Sequence, residues 1–162
     1  MGDLSAAEKY LDKSLKIACE KTYLGCQFNA LQNLVLLLLK KNDLSRAKEY
    51  YREMVSIAEK IDTKETKAIL LSISGHMKLK EKCWQRALTS FEKALKIYNS
   101  MENPYNSAKM KYYIGLTLSM SARKSESRNR FSDALSTFKK IGAKKWRKRV
   151  EHALYNKIPE SY

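Results

Sequence analysis

The sequence predicts an all-α fold of tandem helix pairs, on three observations. Breakers are rare, with five Gly and two Pro in the chain, so long helices are the default. Hydrophobic residues make up 44% of the chain, enough for a core, and recur at helical spacing. The chain also repeats itself: "DLSAAEKYLDKSLKIA" from Asp3, "DLSRAKEYYREMVSIA" from Asp43 and "CWQRALTSFEKALKIY" from Cys83 align without gaps, each copy starting forty positions after the one before.

The first helix follows a candidate N-cap at Ser5 and carries Ala7, Leu11, Leu15 and Ala18 on its apolar side. Each copy of this segment has a small residue (Ala7, Ala47, Ala87), a large one four positions on (Leu11, Tyr51, Phe91), then Ser14, Met54 or Ala94. Each closes on Ile17, Ile57 or Ile97. A second amphipathic segment precedes each later copy, starting at Phe28, Ala68 and Ala108, so the unit is a pair of helices. A fourth copy, "FSDALSTFKKI", puts Ala134, Phe138 and Ile141 on the motif positions, seven positions later than the period requires. Gly115 stands nineteen positions before Ala134, whereas Gly75 stands twelve before Ala87, so a longer intra-repeat turn is expected within residues 121–131. From Gly142, a candidate C-cap, "GAKKWRKRVEHALYNKI" makes a closing helix with Trp146, Val150, Ala153 and Leu154 on one face. The expected organisation is one domain over 1–162: a half repeat at 2–21, repeats at 22–61, 62–101 and 102–142, and a capping helix at 143–158.

This pattern resembles the tetratricopeptide repeat (TPR), which places a small residue on its first helix twelve positions before an Ala on its second. Gly75, Ala87, Phe91 and Ala94 match it, and Trp84 and Leu44 fit the apolar position three before the Ala. Val35 departs from it, which implies looser packing in its helix pair. The resemblance implies a right-handed superhelix of antiparallel helix pairs, about three and a half repeats plus a cap. It also implies a non-catalytic scaffold that binds a peptide or helix of another protein in its concave groove. First helices line that groove in the family, so the implied site is Asn29, Gln32, Asn33, Leu36, Ile69, Ser72, Ile73, His76, Lys109, Tyr112, Tyr113 and Leu116. Alanine at His76, Tyr112 and Tyr113 is then expected to leave the fold intact and remove the partner. The carboxylate clamp with which some family members hold chaperone C-termini is not matched, because Ile73 and Tyr113 stand where Asn or Arg is needed. The closing segment "IGAKKWRKRVEHAL" is similar to the end of arrays in STAND-type ATPase regulators. That alternative implies a C-terminal sensor or regulatory arm of a larger ATPase or transcription regulator.

No Gly-rich phosphate loop, HExxH or nucleophile elbow is present, and His76 and His152 have no partner constellation, so no catalytic, cofactor or metal site is expected. Cys19, Cys26 and Cys83 lack paired metal-ligand spacing and read as plain thiols. Net charge is +15, and much of it sits in Arg123, Lys124, Arg128, Arg130, Lys139, Lys140, Lys144, Lys145, Arg147, Lys148 and Arg149, against Glu126 and Asp133. Such a basic patch steers an acidic partner; contact with nucleic acid is the alternative, although the stacking aromatics of a single-strand binder are missing. The longest apolar run, 34–39, is too short to span a bilayer and the N-terminus lacks a signal peptide, so a cytoplasmic protein off the membrane is expected. The opening helix has no first helix to pair with. Upstream sequence or a second copy is expected to cover it, the latter giving a homo-oligomer through the half repeat.

Overall fold

The computed structural model describes residues 4–155, all helix and short turn, with no strand among them. Eight helices follow in order among these residues: α1 Leu4–Glu20, α2 Leu24–Lys40, α3 Leu44–Ile61, α4 Lys64–Lys80, α5 Trp84–Ser100, α6 Pro104–Met120, α7 Lys124–Lys140 and α8 Lys144–Tyr155. The all-α class and the helix-pair repeat are as the sequence implies.

The period has a backbone cause. From α1 to α7, helices of 17 residues, 18 in α3, are ended by a residue in the left-handed region at every twentieth position: Thr22, Asn42, Asp62, Lys82, Glu102, Ala122 and Gly142. At all of these except Asp62 the turn is a Schellman motif. The next residue's amide reaches back to a carbonyl near the helix end, as in Tyr23 to Ala18, Asp43 to Leu38 and Arg123 to Leu118, at 2.9 to 3.1 Å. The same residue then opens the following helix. Asp43 accepts from the Arg46 amide at 3.2 Å and Asn103 from the Asn106 amide at 3.0 Å, and Pro104 stands in the first turn, where it costs no hydrogen bond. At the shorter α3–α4 turn, Thr63 and Thr66 cap each other reciprocally.

Small residues let paired helices approach, and a ring fills the space they leave. A Cβ on Gly75 would lie 2.6 Å from the Phe91 ring, and one on Gly115 would lie 2.8 Å from Phe131. The second contact corrects the expected fourth repeat. Helices α6 and α7 are joined by residues 121–123 alone, with no longer turn. The motif residues are Ser127 and Phe131, not Ala134 and Phe138. Ser127 takes the small position twelve after Gly115 and donates to the Gly115 carbonyl at 2.7 Å, which satisfies its hydroxyl in the core. Ala134 is the counterpart of Ala94, and both are fully buried. Looser packing at Val35 is not what the burial shows: Val35 and Ala47 are both fully buried, and Tyr51 sends its hydroxyl to the Leu70 carbonyl at 3.3 Å.

The helices gather into two compact units, residues 1–73 and 74–162, with the boundary inside α4. In the first unit Leu31, Leu34 and Leu38 of α2 are fully buried, as are Ala47 and Met54 of α3. Glu8 of α1 accepts from Lys41 and from Arg46, the latter at 2.6 Å, tying α1 to the turn and first residues beyond α2. The Lys41 and then the Arg46 hydrogen bonds hold the Glu8 carboxyl below its usual range. Outward from α1, Tyr10, Ile17 and Tyr23 are exposed, whereas Met54 and Ala94, at the positions equivalent to exposed Ser14, are fully buried. In the second unit Phe91, Phe131, Phe138, Met110, Ile114 and Leu116 form the core.

Gly75→Ala is expected to cost about 1–3 kcal/mol, because the added methyl must displace the Phe91 ring. Gly25→Ala, where nothing lies within 4 Å, is expected to gain about 0.5–1 kcal/mol from helix propensity. Urea unfolding of both variants checks this; equal effects would show that Gly75 is not a packing requirement.

Candidate protein-interaction surface

The first helices carry the residues named from the sequence, and the structure divides them. On α2, Asn29 and Asn33 are exposed and Gln32 and Leu36 half-buried, while Phe28, Leu31, Leu34 and Val35 turn inward. On α4, Ile69, Ser72 and His76 are half-buried and Ile73 is buried. On α6, Tyr112, Tyr113 and Leu116 are buried and Lys109 is half-buried. The reason is that α6 is enclosed on nearly every side: from Ser107 to Leu118 only Lys109 and Lys111 escape burial. Ile73, Tyr112, Tyr113 and Leu116 therefore belong to the chain's own packing. Alanine at Tyr112 and Tyr113 would hollow the core rather than probe a free surface, which corrects the sequence expectation for that triple variant.

What encloses α6 is an aromatic cluster. Tyr113 stacks on Phe91 at 5.5 Å between centroids, Tyr112 meets Phe131 at 5.6 Å, and Trp146 of α8 stacks on Phe138 at 5.5 Å while its edge geometry reaches Tyr112. Trp146 Nε1 donates to the Tyr105 hydroxyl at 2.8 Å, which fixes the indole across α6. Two cations lie on this wall. Lys109 Nζ is 5.7 Å from the Tyr105 ring centre and 5.8 Å from that of Trp146. The Arg149 guanidinium is 5.3 Å from Tyr112 and 5.1 Å from Trp146, and its Nε donates to the Tyr112 hydroxyl at 3.3 Å. Tyr105 and Trp146 are absent from the groove residues that the sequence nominates, and Arg149 figures there only as patch charge. The signal is present all the same: Asn29, Ile69, Lys109 and Arg149 fall forty positions apart in turn, so α8 repeats the first-helix pattern.

His76 sits edge-on to Tyr113, 4.3 Å between ring centres, and to Phe91 at 5.2 Å. Burial pushes its pKa down to about 3, and the positive charges of Lys109 and Arg149 push the same way. Burial, then Arg149, also lowers the pKa of Lys109. The basic patch lies on α7, α8 and the turns before them, with Arg130 half-buried and the other members exposed. Within it Arg123 forms a two-pronged pair with Glu126 at 2.6 and 2.7 Å, and Arg147 faces Glu151 at 3.6 Å. Cys19 and Cys26 are exposed and Cys83 half-buried. Among the described residues no group of three His, Cys, Asp or Glu could hold a metal ion, and no helix is long and apolar enough to cross a membrane.

The His76 geometry sets a pH dependence. An unfolded chain takes up this proton near pH 6.5 and the folded chain only near 3, so its contribution to stability is complete above 6.5 and is lost as pH falls toward 3. Urea midpoints across pH 6.5 to 5.5, about a unit above the ordinary glutamate value of 4.5, should fall for the parent and stay flatter for His76→Phe. Parallel slopes would mean that His76 is protonated in the fold.

Comparison with known proteins agrees with this architecture. A tetratricopeptide repeat model matches residues 28–61, which run from the first turns of α2 to the end of α3. No curated protein matches the chain significantly. The crystal structure of BtubC (BKLC) from P. vanneervenii superposes with a TM-score of 0.68 at 20% identity, over 88% of this chain and 59% of that one. The chain thus spans less than two thirds of that protein's length, and the likeness concerns the fold. One helix pair matched by sequence over residues 28–61, and the same pair recurring at every fortieth position, give this chain a TPR-like helical-repeat fold.

Proposed function

We propose that the protein is a non-catalytic interaction module that binds an extended segment of another protein along the first helices of its repeats. TPR repeats generally mediate protein–protein interaction. The observation that supports this reading most is the lengthwise division of α2 in the first unit. One face is fully buried at Leu31, Leu34, Val35 and Leu38; the other presents Asn29, Gln32, Asn33 and Leu36 to solvent or at half burial. Carboxamides both donate and accept, so a row of them on a rigid helix matches the unpaired amides and carbonyls of an extended peptide, and Leu36 adds an apolar contact. The basic surface of α7 and α8 favours acidic partners by raising their rate of encounter.

A displayed peptide library should yield ligands for the parent, and Asn29→Ala with Asn33→Ala should weaken them about tenfold while leaving the circular dichroism spectrum unchanged, since each lost hydrogen bond is worth about 0.5–1.5 kcal/mol. Ligands that bind the double variant as tightly as the parent would remove the α2 face from the site.

A further inference from the structure

Helices α1, α3, α5 and α7 hold the second-helix place of a pair, and among the described residues α1 alone has no first helix before it. On the other three the motif positions are covered. Ala47 and Met54 of α3 are fully buried against α2, as are Ala87 and Ala94 of α5 and Ala134 of α7. Gly75 of α4 meets Phe91 of α5, and Gly115 of α6 meets Phe131 of α7. On α1 the same positions stand open: Ser14 is exposed, and Ala7 and Leu11 are half-buried. An open pocket of about 340 Å³ lies here between α1 and the start of α2, lined by Ser14, Ile17, Ala18, Cys26 and the exposed rings of Tyr10 and Tyr23.

We propose that this pocket and the open side of α1 seat an amphipathic helix of another protein, in the place that a first helix takes in the other three pairs. Its large apolar side chain enters the pocket and acidic residues line one flank. A helix is favoured because the chain covers the same positions with a helix on α3, α5 and α7. The size of the side chain follows from the second unit. Ala18 and Cys26 correspond, 120 positions on, to Phe138 and Trp146. There Tyr105 of α6 packs its ring 6.1 Å from Phe138 and accepts from Trp146 Nε1. Small residues in place of those two rings leave room for a larger side chain than Tyr105. The acidic flank answers Lys9, Lys13 and Lys16, exposed and spaced along one side of α1 with Lys13 at the pocket and Glu20 as the only acid among them. A second copy is disfavoured by the same charges. The helix it would offer, α8, places Lys148 and Glu151 where α2 has buried Phe28 and Leu31, and each copy carries a net charge of +15. The row of Asn29 and Asn33 takes no part, so this surface stands apart from the reading above.

The test is fluorescence anisotropy with two labelled peptides of the length of α2, 17 residues. Both carry leucines and one tryptophan at helical spacing, with glutamate at the remaining positions of one and lysine in the other. Titrated with the full chain at about 0.15 M salt, which screens diffuse attraction, the glutamate peptide is expected to bind at least tenfold more tightly than the lysine peptide. Ser14→Trp, which puts a ring into the pocket, is expected to weaken the glutamate peptide at least tenfold, and Lys9→Glu with Lys13→Glu to remove the preference between peptides. Asn29→Ala with Asn33→Ala, and separately Lys144→Gln, Lys145→Gln and Lys148→Gln together, are expected to change its affinity less than twofold. Failure of the glutamate peptide to bind the parent, equal binding by Ser14→Trp and the parent, or an equal loss in the Lys144, Lys145 and Lys148 variant would overturn the proposal. So would sedimentation equilibrium that shows a dimer in the parent and a monomer in Ser14→Trp, which gives the face to a second copy. Ser14, Lys9 and Lys13 are exposed, so the variants are expected to keep the parent's melting temperature.

Discussion

Left-handed backbone at residues 22, 42, 62, 82, 102, 122 and 142 ends each helix from α1 to α7 at the same phase, and what the helices present to one another follows from that. A helix of 17 residues and a three-residue turn make a module of constant length, so side chains forty positions apart face equivalent neighbours. This is why Gly75 meets Phe91 and Gly115 meets Phe131 in the same way, and why Ala94 and Ala134 are equally buried. A turn one residue longer would rotate the next helix by about 100° and take its apolar stripe off the core.

Within that frame the two units solve the same packing problem with different chemistry. The first fills its joints with aliphatic residues and ties α1 down through Glu8, Lys41 and Arg46. The second uses rings, and its aromatic cluster extends from His76 on α4 to Trp146 on α8. The consequence for function lies on the first helices. Where aliphatic packing leaves α2 half in solvent, Asn29 and Asn33 stay exposed. Where rings enclose α6, Lys109 stays half-buried beside Arg149 on the rim.

Much of this was legible in the sequence. The forty-position period, the pairing of small with large residues and the division of each repeat into two helices all follow from residues such as Ala47, Ala87, Phe91 and Gly75. The fourth repeat was misread for a physical reason. Ser127 fills the small position by donating to a backbone carbonyl, which a pattern of apolar residues does not register, while Ala134 and Phe138 imitate the motif seven positions later. Gly142 was legible as a C-cap, but the left-handed turns at Thr22, Lys82, Glu102 and Ala122 were hidden, because these are not residues that favour such a conformation. The burial of Tyr112 was invisible for a third reason: it depends on Trp146 and Phe131, which other helices bring to it.

The most direct measurement of the turn's role is the unfolding free energy of Ala122→Gly. Alanine at this φ of 63° carries about 1–2 kcal/mol of strain, and glycine gives back about 0.5–1 kcal/mol of the relief through its freer unfolded chain. A net gain of about 0.5–1 kcal/mol in urea unfolding is expected. A loss of stability in Ala122→Gly would contradict a left-handed turn at every twentieth residue as the constraint that sets the repeat.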